Sequence, residues 1–268
     1  TFEESNEVYS IGAKALGREF SFLGRDENTT KEEFISFIKE HIDEGYPCIA
    51  LGIIGPPEAC IITGYRKNGM ELLGWNFFQA DPEFASGITI DESGYFVCSN
   101  WWENTDTQAV MCLGAIEKDQ YTPADVIANA VKALSGRIDC GYAKGVKAYD
   151  AWKEAISDES NFSVDGNYML LFEKMLCQND AGSCLGDGRY CASLYFEELA
   201  KADSSLQNDY LEISGLFRKC SDTILEMQNL YNDNGNTNMD DMLKKFADKE
   251  IRDKIRINID QVTRIEKI

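Results

Sequence analysis

Apolar and polar residues follow two different periods along the chain, and the change between them divides it near residue 118. Before that point, two amphipathic helical stretches are followed by short apolar runs with the spacing of strands. From Thr122 onward, apolar residues recur at helical spacing. The pattern predicts an α+β fold, with an antiparallel sheet and packed helices in residues 1–118 and an all-helical domain in residues 119–268.

Residues 3–16 and 30–44 are the two predicted helices of the first part. Thr30 and Glu33 have the spacing of a capping box at the start of the second helix, and Gly45 with Pro47 is typical of a helix end. Its apolar positions share one face: Phe34, Phe37, Ile38 and Ile42. We expect this face to pack on the sheet.

Five strands are predicted within about seventy residues. They cover residues 48–54, 60–65, 70–78, 94–101 and 109–116. Asn68-Gly69 is a strong hairpin signal between the second and third of them. Residues 46–116 are therefore expected to form one antiparallel sheet, preceded by a short extended piece at residues 20–23.

The second part contains a series of helical patterns with no internal repeat. Thr122 and Pro123 are typical of a helix start. Further helices are predicted at 141–156, 168–177, 189–200 and 206–231, followed by an amphipathic stretch from Met239 to Val262. Glycines at 182, 186 and 188 are expected to interrupt the helical pattern between residues 177 and 189.

Net charge limits the classes of partner. The chain has 26 Lys plus Arg and 46 Asp plus Glu, which gives a net charge of −20. Such a surface repels phosphate backbones and anionic lipids, so nucleic-acid and membrane partners are disfavoured. It attracts cationic ligands such as polyamines or aminoglycosides, although charge also serves solubility alone. No apolar run approaches the ~20 residues that a membrane span needs, and the predicted location is cytoplasmic.

Cysteine usage indicates reduced thiols. The nine cysteines are odd in number, most lie in apolar runs, and no Cys-x-x-Cys occurs. The only histidine, His41, is interpreted as a surface or boundary residue. Cys177, Cys184 and Cys191 are spaced by seven, but the glycines between them argue against a shared site. We predict no metal site and no cofactor.

One run carries the most specific signal. Residues 55–65 read Gly-Pro-Pro-Glu-Ala-Cys-Ile-Ile-Thr-Gly-Tyr, and residues 72–79 read Leu-Leu-Gly-Trp-Asn-Phe-Phe-Gln. This hairpin resembles one in papain-like peptidases of the bacteriocin-processing kind. In those enzymes a histidine starts the first strand, and an Asp or Asn lies on the returning strand. The resemblance places Glu58 at the histidine position and Asn76 near the Asp/Asn position.

The closer resemblance is to the N-terminal domain of the butirosin biosynthesis protein H family. That family has similar Gly-Pro-Pro-Glu and Leu-x-Gly-Trp runs and a helical second half, which the stretch at residues 145–152 resembles. The resemblance implies a papain-like core that transfers an acyl group from a carrier protein to an amine of a small molecule. It therefore implies an amine-bearing substrate and an acyl carrier as partners.

Each candidate residue has a functional and a structural interpretation. Glu58 is either a base or amine anchor at the mouth of a cleft, or a loop glutamate. Asn76 either orients a substrate or ends a hydrogen-bond ladder. Further side chains are predicted to bind substrate, although aromatic residues at such spacing also form cores; they are Tyr65, Trp75, Phe78, Gln79 and Trp101.

Three functions remain open, and the missing catalytic groups bear on the choice between them. No cysteine precedes Cys48, which lies within a predicted strand, and Cys60 is interpreted as a core residue. A thiol nucleophile is therefore either upstream of Thr1 or absent. The first hypothesis is an acyl- or amide-transfer enzyme; the alternative is a catalytically inactive core that binds a small molecule or peptide. A third is that the C-terminal helices serve oligomerisation.

Overall fold

The structure is a computed structural model that describes residues 5–117, 121–139, 141–162, 168–235 and 237–267. It confirms the α+β class, with an antiparallel sheet in the N-terminal part and helices in the C-terminal half. Two units are distinguished, Thr1–Val126 and Ile127–Ile268. The division falls inside helix α3 (Pro123–Leu134), whereas the sequence pattern places it near residue 118.

The first unit is built on a seven-stranded sheet in which every neighbouring pair is antiparallel. In chain order the strands are β1 (Arg18–Gly24), β2 (Cys48–Leu51), β3 (Ala59–Arg66), β4 (Glu71–Trp75), β5 (Ile88–Ile90), β6 (Phe96–Cys98) and β7 (Ala109–Ile116). Their order across the sheet is β1-β7-β2-β3-β4-β6-β5. The prediction of one antiparallel sheet within residues 46–116 is confirmed, and the short extended piece becomes the edge strand β1.

The hairpin between β3 and β4 has the predicted Asn-Gly turn. Asn68 adopts φ 58° and Gly69 φ 93°, the left-handed backbone that these two residue types accept most readily. The turn fixes the register in which Tyr65 pairs with Leu72.

Helix α2 (Lys31–Asp43) packs on one face of the sheet, which we call the inner face. Its capping box is formed: Glu33 N donates to Thr30 Oγ1 at 3.3 Å, and Thr30 N donates to Glu33 Oε2 at 2.7 Å. Phe34 and Ile38 are fully buried against the strands. Helix α1 (Ser5–Ala15) contacts β1.

Strand alternation places one apolar set on the inner face. Cys48 of β2 pairs with Ile62 of β3 on one side and with Cys112 of β7 on the other. Directly paired residues point to the same face, so the inner face of the sheet is continuous through β2. Its buried members include Cys48, Ala50, Cys60, Ile62, Leu72, Phe96, Cys98, Val110 and Cys112.

Three predicted strands are shorter in the structure, and the 70–78 strand is observed only as β4 (Glu71–Trp75), so that Phe78 lies in a loop. The 48–54 strand ends at Leu51, because Gly52 adopts φ 77° and turns the chain away; Ile53 and Ile54 enter the core from a loop instead. The 94–101 strand is only β6, and Trp101 lies in the following loop, fully buried.

The second unit consists mainly of helices. They are α4 (Val146–Ser157), α5 (Tyr168–Ala202), α6 (Gln207–Asn232), α7 (Met239–Ala247) and α8 (Lys249–Glu266). A small hairpin of β8 (Arg137–Asp139) and β9 (Tyr142–Lys144) takes the place of the first residues of the predicted 141–156 helix.

Helix α5 corrects the predicted break between residues 177 and 189. It runs continuously over 35 residues, through all three glycines. A Cβ on Gly182 would lie 3.0 Å from Gln228 Nε2, and one on Gly186 would lie 3.4 Å from Ile224 Cγ2. Both neighbours belong to α6. These glycines therefore permit close packing of α5 on α6, and this gain outweighs their low helix propensity.

Buried charges in the second unit are paired. The Glu266 carboxylate, almost fully buried, accepts from the Arg189 guanidinium and, at 2.8 Å, from the Tyr149 hydroxyl. Arg252, also buried, donates to Glu159 at 2.6 Å. Pairing offsets the desolvation cost of these charges. Among the described helices, none is long and apolar enough to cross a membrane.

Candidate cleft in the sheet unit

Three loops border a cleft of about 440 Å³ beside the inner face of the sheet. They are residues 52–58 between β2 and β3, 76–87 between β4 and β5, and 99–108 between β6 and β7. We define the cleft by its lining residues: Ile53, Ile54, Gly55, Pro56, Glu83, Phe84, Ser86, Ile88, Cys98, Asn100, Glu103, Asn104 and Asp106.

Side chains of the third loop hold the first loop in place. Asn104 Nδ2 donates to the carbonyls of Gly52 at 2.8 Å and Gly55 at 3.0 Å. The buried Thr107 hydroxyl lies 2.8 Å from the Gly52 carbonyl and 3.0 Å from that of Trp101. These bonds satisfy carbonyls that have left the sheet ladder, and they make the wall of the cleft a fixed structure.

Arg25, the residue directly after β1, holds the third loop through its side chain. Its Nη1 donates to the Asn104 carbonyl at 2.9 Å, and its Nη2 donates to the Trp102 carbonyl at 3.1 Å. The guanidinium also lies 3.9 Å from the centre of the Trp102 ring. The loop that carries most of the polar lining is thereby attached to the edge of the sheet.

The lining combines an apolar floor with an acidic rim. Ile54, Phe84, Ile88 and the buried Cys98 provide apolar surface. Glu83, Glu103 and Asp106 contribute three exposed carboxylates, and Asn100 and Asn104 contribute amides. The residues that line the cleft include no lysine, arginine or histidine. The arrangement suits a ligand that has both a cationic group and an apolar part.

Glu58 ends the first loop and does not line the cleft. Its carbonyl accepts from Gly52 N at 3.0 Å, which extends the β2–β3 ladder by one step. Its side chain is exposed to solvent. Because β3 and β4 are antiparallel, Glu58 at the start of β3 and Asn76 at the end of β4 lie at the same end of the sheet.

Asn76 is buried and forms the turn that opens the second loop. Its Oδ1 accepts from Phe78 N at 2.7 Å, and its backbone N donates to Gln79 Oε1 at 3.2 Å. Its Nδ2 is buried with no hydrogen-bond partner among the described residues. An orphaned buried donor is costly, and among the predicted site residues Asn76 shares this feature with Trp101, whose buried Nε1 also has no partner among the described residues.

Phe78, Gln79 and Trp101 support the cleft without lining it. Phe78 packs edge-on against the cleft residue Phe84, with ring centres 5.1 Å apart. Gln79 Nε2 donates to the Gly94 carbonyl at 3.0 Å and so ties the second loop to the β5–β6 turn. Trp101 is a core residue, stacked on Phe34 at 6.5 Å.

Tyr65 and Trp75 lie away from the cleft. The Tyr65 hydroxyl donates to Asp43 Oδ1 at 2.7 Å, and this bond raises the pKa of Tyr65. Trp75 pairs with Ile61 on the opposite face of the sheet and contacts Phe77 with ring centres 4.6 Å apart. The predicted substrate-binding set is therefore not assembled into one pocket.

The cysteines of the sheet unit are core residues. Cys60 is 1% exposed, and burial raises its pKa to about 12. Burial also raises the pKa of Cys48 to about 12 and that of Cys98 to about 11. A thiol with a raised pKa is a poor nucleophile at neutral pH, so none of these three is suited to thiol catalysis.

Two features are not visible in the sequence pattern. The first feature is the acidic rim, whose carboxylates come from Glu83, Glu103 and Asp106. The only indication of this rim in the sequence is the polar run at residues 103–108, which follows Trp101-Trp102. The second feature is the proximity of Cys112 to His41 and Cys48, from which it is far apart in the chain. Both depend on loop closure and strand pairing.

A separate pocket of about 480 Å³ lies in the helical unit. Its lining is mostly apolar and includes Ala148, Ala155, Phe162 and Phe246. Trp152 Nε1 donates to the buried Gln178 Oε1 at 2.7 Å at its wall. This bond satisfies the half-buried Trp152 N–H and the buried Gln178 side chain, so these polar atoms link α4 to α5.

Comparison of the chain with protein-family models, with curated proteins and with solved structures finds no match in any of the three. The resemblance to the butirosin biosynthesis protein H family therefore stays a prediction. The candidate site is defined by the geometry of the chain itself.

Replacing Gly52 with alanine tests whether the cleft wall is held as described. A Cβ there would lie 1.9 Å from the Asp106 carbonyl oxygen, at φ 77°. Gly94 has φ 81° with nothing within 4 Å of its Cβ position, so Gly94→Ala is a matched control for backbone strain. We expect Gly52→Ala to cost about 2 kcal/mol more than Gly94→Ala, through overpacking. Thermal unfolding of both variants is monitored by tryptophan fluorescence. Equal melting temperatures would contradict the close approach of Gly52 to the Asp106 carbonyl.

Alkylation tests the assignment of the cysteines. Since the thiolate is the reactive form, iodoacetamide at pH 7 should modify the exposed Cys177, Cys184 and Cys191 well before Cys48, Cys60 and Cys98. Peptide mapping by mass spectrometry gives the order of modification. Selective early modification of Cys60 would show that its pKa is low, and that it is not an inert core residue.

Proposed function

We propose that the sheet unit binds an amine-bearing small molecule in the cleft and acts as a binding protein. The observation that carries the proposal is the lining of the cleft, with three carboxylates around an apolar floor and no basic side chain. A primary ammonium at the rim would donate charge-assisted hydrogen bonds to these carboxylates, while its hydrocarbon part would lie against Ile54, Phe84 and Ile88.

The net charge supports the same class of ligand. At −20, the chain attracts cations over a long range and raises their local concentration near the rim. This attraction does not by itself select a site. Selection comes from the fixed loops, which hold carboxylates and apolar surface within one cleft of limited volume.

Acyl or amide transfer to the amine is the other function that the resemblance implies. The described structure gives it less support, because burial raises the pKa values of the core thiols Cys48 and Cys60, and Glu58, at the predicted histidine position, is a carboxylate. A carboxylate beside a thiol would raise the thiol pKa further. Binding without turnover is therefore the function that the geometry favours.

Neutralising the rim is the direct test, with spermine as the probe. The triple variant Glu83→Gln, Glu103→Gln, Asp106→Asn keeps the shape of the side chains and removes three charges. At roughly 1 kcal/mol for each exposed charge-assisted contact, spermine affinity should fall on the order of 100-fold. Isothermal titration calorimetry on the full chain measures this change.

A matched triple variant controls for net charge. Glu27→Gln, Glu40→Gln and Glu92→Gln remove three exposed carboxylates of the same unit outside the cleft, and should change spermine affinity only slightly. An equal loss in both triple variants would mean that spermine responds to net charge alone. A larger loss with Glu58→Gln than with the rim variant would place the amine at Glu58, and the cleft assignment would be wrong.

Turnover is checked in the same samples. Spermine and an acetyl thioester of N-acetylcysteamine would give N-acetylspermine and the free thiol if the chain transfers acyl groups. We expect no acetylspermine above the uncatalysed rate. Catalysed formation would support the transferase interpretation over the binding one.

A further inference from the structure

The fold brings the only histidine of the chain beside two buried cysteines. Cys48 is the first residue of β2, and Cys112 pairs with it directly across the β2–β7 ladder. His41 lies in the last turn of α2, before the turn that leads into β2. A ring nitrogen of His41 and the two sulfur atoms all lie within 4.8 Å of one another. We call these three residues the thiol–imidazole cluster.

The spacing is close to that of a metal site. Metal–sulfur bonds of about 2.3 Å and metal–nitrogen bonds of about 2.0 Å in a tetrahedron place ligand atoms roughly 3.5–3.8 Å apart. The three atoms of the cluster reach that separation by side-chain shifts on the order of 1 Å.

His41 has a hydrogen bond of the kind that supports metal-binding histidines. Its Nδ1 lies 2.8 Å from the Phe37 carbonyl, which can only accept, so Nδ1 carries the proton. In the neutral ring, Nε2 is then the nitrogen with a free lone pair. A hydrogen bond from one ring nitrogen to a backbone carbonyl is the usual outer-shell support of a metal-binding histidine. The ring also packs on Phe37, with centres 4.3 Å apart, which fixes its plane.

We propose that His41, Cys48 and Cys112 bind one Zn²⁺ ion, with water as the fourth ligand. Two thiolates and an imidazole favour zinc over magnesium or calcium, which prefer oxygen ligands. Cys48 and Cys112 are fully buried, whereas His41 is only half-buried and provides the route of entry and the side open to water. Binding converts two thiols to thiolates, so two protons leave to solvent for each ion bound.

This site is independent of the cleft. It lies at the beginning of β2, whereas the cleft begins where β2 ends. An ion there would join α2, β2 and β7 through side chains, and would stabilise the folded chain by binding it in preference to the unfolded one.

Cobalt is the spectroscopic probe and zinc the thermodynamic one. The protein is the full chain, fully reduced, with Cys140 and the three exposed cysteines, Cys177, Cys184 and Cys191, replaced by serine, while the buried Cys220 of α6 is retained. Co²⁺ should give a thiolate-to-metal charge-transfer band in the near ultraviolet and intense visible bands of tetrahedral geometry. Zn²⁺ should displace Co²⁺ at one ion per chain and raise the melting temperature of the protein. Calorimetric titrations in buffers of different ionisation enthalpy should show that two protons are released for each Zn²⁺ ion bound.

His41→Ala is the decisive variant, because a half-buried side chain can be removed with little effect on folding. Loss of even an outer-shell partner costs about 10–100-fold in metal affinity, so loss of the ligand should weaken zinc binding about 100-fold or more. Cys48→Ala and Cys112→Ala should abolish the charge-transfer band. Cys60→Ala removes a thiol from the same buried face outside the cluster, and should leave the band and affinity unchanged.

The results of these experiments either support the zinc site or overturn it. A thiolate band that depends on His41, Cys48 and Cys112 but not on Cys60 supports the site. Absence of a band in the reduced, folded chain would overturn it, as would zinc affinity that His41→Ala does not change. If a cysteine variant does not fold, two measurements still decide whether zinc binds at the cluster. They are the zinc affinity of His41→Ala and the melting temperature of the otherwise unchanged protein with and without zinc.

Discussion

The first unit depends on the antiparallel pairing of one short strand, β2, with neighbours on both sides. Its four residues pair with β3 and β7, and this register puts Cys48 and Ala50 on the face that α2 covers. A shift of one residue would turn this apolar set toward the opposite face. The two candidate sites are set by the two ends of the same strand, since the thiol–imidazole cluster lies at Cys48 and the cleft loop begins at Gly52.

Local signals predicted the elements whose residues agree with their surroundings. The 109–116 strand was predicted at its observed bounds, and the capping box and the Asn68-Gly69 turn formed as expected. Predictions were wrong where tertiary contacts outweighed propensity. The glycines of α5 do not break the helix, because α6 packs against them, and Gly52 ends β2 early, because its backbone meets Asp106.

The sequence predicted the region of the candidate site but not the residues that line the cleft. The resemblance directed attention to the 55–79 hairpin, and Glu58, Asn76, Phe78 and Gln79 do lie in loops that border the cleft. The lining carboxylates were missed because Glu83 and Glu103 belong to different loops and meet only after both have closed. The cluster of His41, Cys48 and Cys112 was missed because the spacing of Cys48 and Cys112 along the chain carries no trace of their cross-strand pairing.

The central claim is that the three loops form one amine-binding cleft, and amide hydrogen exchange tests it most directly. The full chain, with and without saturating spermine, is followed by mass spectrometry of peptides from both units. The account predicts slower exchange in peptides that cover residues 52–58, 83–88 and 99–107, with little change elsewhere. Protection confined to the helical unit, or to the β3–β4 turn, would contradict it.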